Sequence, residues 1–383
     1  MINTLPCGIG PLHLRLVRIV AIASAIGCLS VPALADDCSD AQVPVGRRIT
    51  ACSSLLANPG LVTSAKVAAL DSRARAFKQA GAFDKSIADY SEALKLDASN
   101  PLLFNNRGVA YQASNDQVKA IADYNEAIRL KPDFVQAMFN RGTANQALQD
   151  YKAAITDYDR VITADLHNAR ALTNRGNALL ALGQADKAMT DYDAAIAADP
   201  NLSIAYFNRG FAHRRKHENE KAIADLSKTV ELEPGLASAY YQRALAYRQM
   251  NDADHSLADL DTAIGKEKGN ARYWSARCFL RATNNKLDQA LEDCNEALRL
   301  NSSFAPAWQN RGYVHLRQDN AGSALDDYNQ ALALAPDSAE ALYGRGLCKR
   351  SLGDDAGALG DLRAAATVRP TIAAEMSKIG LGP

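Results

Sequence analysis

Residues 106–142 read NRGVAYQASNDQVKAIADYNEAIRLKPDFVQAMFNRG. The stretch opens and closes on the same tripeptide, and its two arginines, Arg107 and Arg141, stand 34 residues apart. The spacing persists in both directions. Asn-Arg-Gly recurs at 106–108, 140–142, 174–176, 208–210 and 310–312, and arginine occupies 73, 107, 141, 175, 209, 243, 277, 311 and 345. No step is longer or shorter, so nine repeats tile residues 67–372 without insertion. A fixed period of this length marks an architecture of stacked supersecondary units.

The columns of the repeat say what each unit is. Fourteen residues after the arginine comes an aliphatic residue every time: Ile87, Ile121, Ile155, Met189, Ile223, Leu257, Leu291, Leu325 and Leu359. Three and seven residues further on lie more large apolar residues, such as Tyr90 and Leu94 or Tyr124 and Ile128. That spacing puts one apolar stripe along a helix. Eight residues after the arginine stand Gly81, Asn115, Gly183, Asn251, Asn285 and Gly353, residues that end a helix in the left-handed conformation. Asp116, Asp150, Asp252, Asn320 and Asp354 follow as N-caps for a second helix. Pro132, Pro200, Pro234, Pro336 and Pro370 mark where that second helix stops. Glycine directly after the arginine (Gly108, Gly142, Gly176, Gly210, Gly312, Gly346) and alanine on the second helix (Ala120, Ala154, Ala188, Ala222) predict a close approach of the two backbones. The fold class is all-α, a stack of helix pairs.

An arginine in such a packing slot needs a partner, because an unpaired charge is costly away from water. Sixteen residues after each arginine stands an aspartate: Asp89, Asp123, Asp157, Asp191, Asp225, Asp259, Asp293, Asp327 and Asp361. The matched columns suggest one ion pair per repeat; the alternative is two independent exposed columns. The spacing leaves open whether Arg141 pairs with Asp157 in its own repeat or with Asp123 in the preceding one.

These columns resemble the tetratricopeptide repeat family. The 34-residue period, Phe104, Tyr206, Trp274 and Trp308 early in the first helix, Gly next, Ala-Ile on the second and Pro at the end carry the likeness, which covers 306 of 383 residues. The resemblance implies a right-handed superhelical solenoid of stacked antiparallel helix pairs, with first helices lining a concave groove. Two columns depart from the family. Its usual Leu is here the invariant Arg, and its aromatic four residues later survives only as Phe77, Tyr111 and Tyr247.

If first helices line a groove, the columns two and one residues before the arginine, and two, five and six after it, face inward. These 45 positions hold one acid, Asp71, and seven bases: Arg75, Lys78, Arg214, Arg215, Arg248, Arg317 and Arg350. Such a surface steers acidic segments inward. The column just before the arginine holds Asn106, Asn140, Asn174, Asn208 and Asn310. The family resemblance implies that asparagine here binds a peptide backbone, since its amide both donates and accepts; the alternative is that it only fulfils the consensus. Phe207, Phe211, Tyr241, Phe279, Tyr313 and Tyr343 supply aromatic anchors or inter-repeat packing in the C-terminal half.

The first 35 residues contain no acid. His13, Arg15 and Arg18 precede an apolar run from Ile19 to Val31, then Ala33-Leu34-Ala35 and Asp36-Asp37. This reads as a signal peptide cleaved after Ala35, too short in its apolar run to span a bilayer. The rival readings are an uncleaved anchor and lipidation at Cys28. The mature chain would be periplasmic or secreted, with 41 basic and 43 acidic residues. Residues 36–66 then form an N-terminal cap, where export would favour a Cys38–Cys52 disulfide. Cys278 and Cys294 share one repeat, and they and Cys348 read most simply as small buried residues. Residues 373–383 form a C-terminal cap and tail, with Ile372, Met376 and Ile379 turned inward.

The sequence carries no HExxH, P-loop, GxSxG or metal-spaced Cys/His cluster. His213 and His217 are four apart, but His217 falls in the turn column. No cofactor, metal, catalytic residue, nucleic-acid partner or integral membrane span is expected. The expectation is a non-enzymatic scaffold that holds an acidic polypeptide segment, with self-association in the envelope as the alternative.

Overall fold

The computed structural model describes residues 31–382. It contains 21 helices and no strand among the described residues. The expected signal peptide lies outside the described residues up to position 30, as does Cys28. Helix α1 (Val31–Ser39) spans the Ala33–Ala35 boundary. No described helix is long and apolar enough to cross a membrane.

The chain divides into two compact parts between Asn115 and Asp116. The first contains α1, α2 (Val45–Leu56), the repeat pair α3 (Thr63–Gln79) and α4 (Phe83–Leu96), and α5 (Pro101–Ala113). The cap therefore comprises two helices. Ala51, Cys52 and Leu55 of α2 bury themselves with Ala69 of α3, and a Cys38–Cys52 disulfide ties α1 to α2. Arg48, buried on α2, donates from Nη1 to Gln79 Oε1 at 3.1 Å.

The second part begins with α6 (Gln117–Leu130). Seven complete pairs follow: α7 (Val135–Ala147) with α8 (Tyr151–Ala164), α9 (Ala169–Ala181) with α10 (Ala185–Ala198), α11 (Ser203–Arg215) with α12 (Asn219–Leu232), α13 (Ala237–Gln249) with α14 (Ala253–Lys266), α15 (Ala271–Thr283) with α16 (Leu287–Leu300), α17 (Ala305–Arg317) with α18 (Ala321–Leu334), and α19 (Ala339–Ser351) with α20 (Asp355–Val368). A short α21 (Ile372–Lys378) closes the chain.

The turn chemistry explains the regularity. All nine residues of the turn column have positive φ, from 58° at Asp319 to 86° at Gly353. That includes Gln149, His217 and Asp319, which the sequence alone does not mark as left-handed. In each case the repeat geometry holds a side chain in a conformation costing about 1 kcal/mol. The next residue then caps the second helix. Asp150 accepts from Ala153 N at 3.1 Å, Asp252 from His255 N at 3.2 Å, and Asp354 from Gly357 N at 2.9 Å.

Within each pair the closest approach lies between the residue after the arginine and the residue sixteen beyond that. A Cβ on Gly142 would come 2.8 Å from Tyr158, and one on Gly176 would come 2.6 Å from Tyr192. Smaller partners meet where the aromatic is absent: Gly210 faces Leu226, Gly346 faces Leu362, and Ala244 packs with Leu260. In repeat 7 the same two columns hold Cys278 and Cys294, joined in a disulfide with a Cα–Cα distance of 5.4 Å. The small-residue reading of these two cysteines thus falls short: a covalent link takes the place of the Gly–Tyr contact. Cys348 is a buried free thiol, pushed up to about 12 by burial.

Candidate functional site: the first-helix groove

The arginine column belongs to the frame. In eight repeats the guanidinium grips the aspartate of its own repeat, as Arg141 Nη2 does Asp157 Oδ1 at 2.6 Å and Arg277 Nη2 does Asp293 Oδ1 at 2.7 Å. Asp157 and Asp293 are each only 2% exposed. The remaining nitrogen, Nη1, reaches the preceding repeat. It donates to Asn125 from Arg141 (2.6 Å), Asp159 from Arg175 (2.7 Å), Asp193 from Arg209 (2.7 Å), Ser227 from Arg243 (3.0 Å), Asp261 from Arg277 (2.6 Å) and Asn295 from Arg311 (2.8 Å). Arg107 Nη1 likewise reaches Ser91 at 3.1 Å, and Arg73 uses Ser53 of the cap. In these eight repeats the arginine therefore fastens its own pair and reaches back to the element before it, a task suited to a planar fork of donors. The accepting column, eighteen residues after each arginine, was legible as a run of short polar residues. It ends at Arg363, where no further arginine follows.

The departure four residues after the arginine has a physical reason. In five of the six repeats that lose the aromatic the column holds a polar residue, Leu179 being the exception, and in three of them it bonds to the same aspartate. Asn145 Nδ2 donates to Asp157 Oδ2 at 3.4 Å, Arg281 Nη1 lies 2.8 Å from Asp293, and Lys349 Nζ lies 2.9 Å from Asp361. Burial pushes the Asp361 carboxyl up, but hydrogen bonds from Arg345 and Lys349 outweigh it and hold it below the ordinary aspartate value. His213 Nδ1 pairs with Glu218 Oε2 at 2.7 Å, and His217 sits in the turn at φ 59°. These two histidines do not converge. Among the described residues no three His, Cys, Asp or Glu groups are placed to hold a metal ion.

In the second part of the chain, inward-column residues line two separate depressions. Asn177, Leu180, Ala181, Asn208, Phe211 and Arg215 line one depression of about 260 Å³, together with Tyr192. Tyr241, Leu245, Arg248, Ser275, Ala276, Phe279, Gln309, Asn310 and Tyr313 line a larger one of about 450 Å³. Arg214 donates from Nε to Gln242 Oε1 at 3.0 Å, and Arg248 lies over the Phe279 ring at 5.4 Å. Neither is ion-paired with a carboxylate among the described residues, although Glu340 and Glu375, both paired with Arg369, line the same depression as Arg248. Burial lowers the Arg248 pKa from its ordinary value; it does the same to Arg214, where Arg248 and Arg215 add to the effect. Arg215 is exposed over Phe211 at 6.0 Å, and Arg350 is exposed at the end of α19.

The asparagines separate into groups. Asn140 accepts from Gln136 Nε2 at 2.9 Å and is half-buried. Asn174 is half-buried beside Tyr158. The Asn208 Nδ2 is buried with no partner among the described residues. In the first part of the chain, Asn106 donates to Asp71 Oδ1 at 3.2 Å, and Asp71 is also held by Arg75 at 3.1 Å. Asn310 is buried, and its amide donates to Ser275 O and Oγ at 3.1 and 3.0 Å. Its role is to tie α17 to α15. Phe207 packs against Ala222, Leu226 and Ala246, between repeats. Tyr241 meets Tyr273 with ring centroids 5.0 Å apart. Tyr313 and Tyr343 are buried, and Tyr313 with Arg317 holds the C-terminal segment.

A family model described as "Tetratricopeptide repeat" matches residues 139–203, 241–305 and 310–372, more than half of the chain. A second of the same description matches 101–134, and one described as "TPR repeat" matches 74–115. The chain belongs to the tetratricopeptide repeat family. No curated protein sequence matches it significantly. Among solved structures it is similar to the APC/C hetero-tetramer Cut9-Hcn1, at TM-score 0.55 and 13% identity over 88% of this chain and 83% of that one. It is also similar to a tetratricopeptide repeat protein from Parabacteroides merdae ATCC 43184, at TM-score 0.52 and 19% identity over 69% and 98%. At these identities the likeness concerns the fold alone. As a tetratricopeptide chain it is a scaffold for protein–protein interaction.

Proposed function

We propose that the chain is an exported scaffold that binds an extended, acidic segment of another polypeptide along its first-helix groove. One observation carries the acidic part of this reading: Arg214, bonded to Gln242, and Arg248, stacked over Phe279, lie among aromatic rings without an ion pair to a carboxylate among the described residues. A desolvated cation without a counter-ion is unfavourable, and an incoming carboxylate relieves it. The half-buried amides of Asn140, Asn174 and Asn208 supply donors and acceptors for the backbone of such a segment. Export is supported by the charge and apolar pattern of residues 1–35 and by two disulfides in one chain, which belong to an oxidising compartment.

Two measurements test this. Crosslinking and pull-down compare the chain beginning at Asp36 with its Asn140→Ala/Asn174→Ala/Asn208→Ala variant. Weaker partner recovery by the variant is expected; equal recovery removes the site assignment. For export, fractionation of the producing cells and N-terminal sequencing should find a chain that starts at Asp36 outside the cytoplasm. A cytoplasmic chain that retains Met1 contradicts the export reading.

A further inference from the structure

The repeat register runs on past the ninth repeat. A tenth first helix would begin about residue 373 and place Ile379 in the arginine column. Helix α21 starts in that register, at Ile372, but it stops at Lys378. Gly380, at φ +84°, turns the chain, with Leu381 N bonded to Met376 O at 2.9 Å and Gly380 N to Ser377 O at 3.1 Å. This is a Schellman cap, which leaves the Ile379 carbonyl pointing outward from a helix C-terminus.

That carbonyl is caught two repeats back. Tyr313 Oη donates to Ile379 O at 2.6 Å, and Arg317 Nη1 lies 3.3 Å from the same oxygen. Arg317 also donates to Tyr313 Oη at 2.9 Å and, from Nη2, to Asn285 Oδ1 at 3.1 Å. The cation therefore meets the negative end of a helix dipole. Met376 and Ile379 line the larger depression together with Tyr241, Arg248 and Phe279. Ile372, Met376 and Leu381 are buried. A helix that only covered the last repeat would need contacts with α19 and α20 alone, and α21 makes those as well. The grip by Tyr313 and Arg317 on α17 is additional, and it uses the same columns that supply the groove.

We propose that the groove stretch formed by α13, α15 and α17 is a receptor for a short amphipathic helix with an open C-terminal carbonyl. The chain's own segment Thr371–Leu381 holds this receptor in the free protein. An external segment enters the C-terminal end of the groove by displacing the tail, so the tail sets the threshold for binding there. The point about external segments rests on the reading that the groove takes polypeptide; the occupancy by the tail does not.

The test uses the full chain and a labelled synthetic peptide of residues 370–382. Met376→Asp/Ile379→Asp should release the tail, seen as faster hydrogen exchange at Leu381 and Gly380 and as exchange at Tyr313 and its neighbours on α17. The peptide should then bind this variant at least about tenfold more tightly than the wild-type chain, whose site is already filled. Adding Tyr313→Phe and Arg317→Gln to the released chain should abolish that gain. Equal peptide affinity for wild-type and released chains overturns the proposal, and so does a released chain that binds no peptide while its melting temperature and helicity are unchanged. If the aspartates unfold α19 and α20, Tyr313→Phe/Arg317→Gln in the otherwise wild-type chain decides: unchanged exchange in the tail contradicts the grip. The Asn140/Asn174/Asn208 alanine variant should leave all of these readings unchanged. A failure of acidic-segment binding is thereby separated from a failure of the tail model.

Discussion

Repeats 3 to 5 and repeats 6 to 9 share one frame and carry different surfaces. Both have the Arg–Asp grip, the left-handed turn and the small-to-large contact between paired helices. In repeats 3 to 5 the column before the arginine is Asn140, Asn174 and Asn208. In repeats 6 to 9 it is Gln242, Ala276, Asn310 and Gly344, with Asn310 consumed by Ser275. Rings take over there: Tyr241, Phe279 and Tyr313, with Arg248 and Arg317 between them, and the chain's own end seated against them. The lesson is a division of labour within 34 residues. Columns that fasten pairs tolerate a change of chemistry only when the contact survives, as the Cys278–Cys294 bond shows. Columns that face the groove change freely, and any specificity resides in them.

The largest expected effect would break the claim that the frame is common to both regions. Asp293→Ala removes the buried carboxylate shared by two guanidinium groups, leaving Arg281 without an ion pair and Arg277 with only the exposed Asp261, and should cost about 3–5 kcal/mol in urea unfolding. Asp157→Ala removes the carboxylate of one cation, Arg141, and a weaker bond from Asn145, and its loss should be smaller, about 2–3 kcal/mol. Equal losses would mean that the second cation at Asp293 contributes nothing. Next, Cys278→Ala/Cys294→Ala should cost about 3 kcal/mol, the entropy of a closed loop of this length. Replacing the same pair by Cys278→Gly/Cys294→Tyr should recover most of it, since that restores the contact seen at Gly176 and Tyr192. No recovery would show that repeat 7 has diverged beyond these two columns. Gly176→Leu drives a side chain into Tyr192 and should lower stability by about 1–3 kcal/mol, read from the melting temperature. The smallest change is a gain. Gln149→Gly relieves a left-handed glutamine and should stabilise the chain by about 1 kcal/mol; a loss would mean that the Gln149 side chain makes a contribution of its own.

The frame was readable because it is periodic. Nine equal steps fixed the helix pairs, the caps and the Arg–Asp match before any coordinates. Spacing alone could not choose between Asp157 and Asp123 for Arg141; the geometry resolves it in favour of Asp157, while Nη1 turns to Asn125 of the preceding repeat. The polar column at Ser91, Asn125 and Asp159 went unread in the sequence, since its purpose appears only when Nη1 is seen to cross between repeats. The groove was less legible. Exposure of an asparagine depends on what its neighbour does, and nothing in the Asn-Arg-Gly motif distinguishes Asn310, tied to Ser275, from Asn174. The grip on Ile379 breaks the period altogether, because it joins residues 66 apart through a turn at Gly380.

The central claim is that the groove binds acidic polypeptide through the columns that vary. Fluorescence anisotropy of a labelled acidic peptide, titrated with the wild-type chain and with Arg214→Gln/Arg248→Gln, addresses it most directly. Salt-sensitive binding to the wild-type chain is expected, weakened about tenfold or more in the variant at equal thermal stability. Equal affinity for both chains, or affinity indifferent to salt, would contradict it.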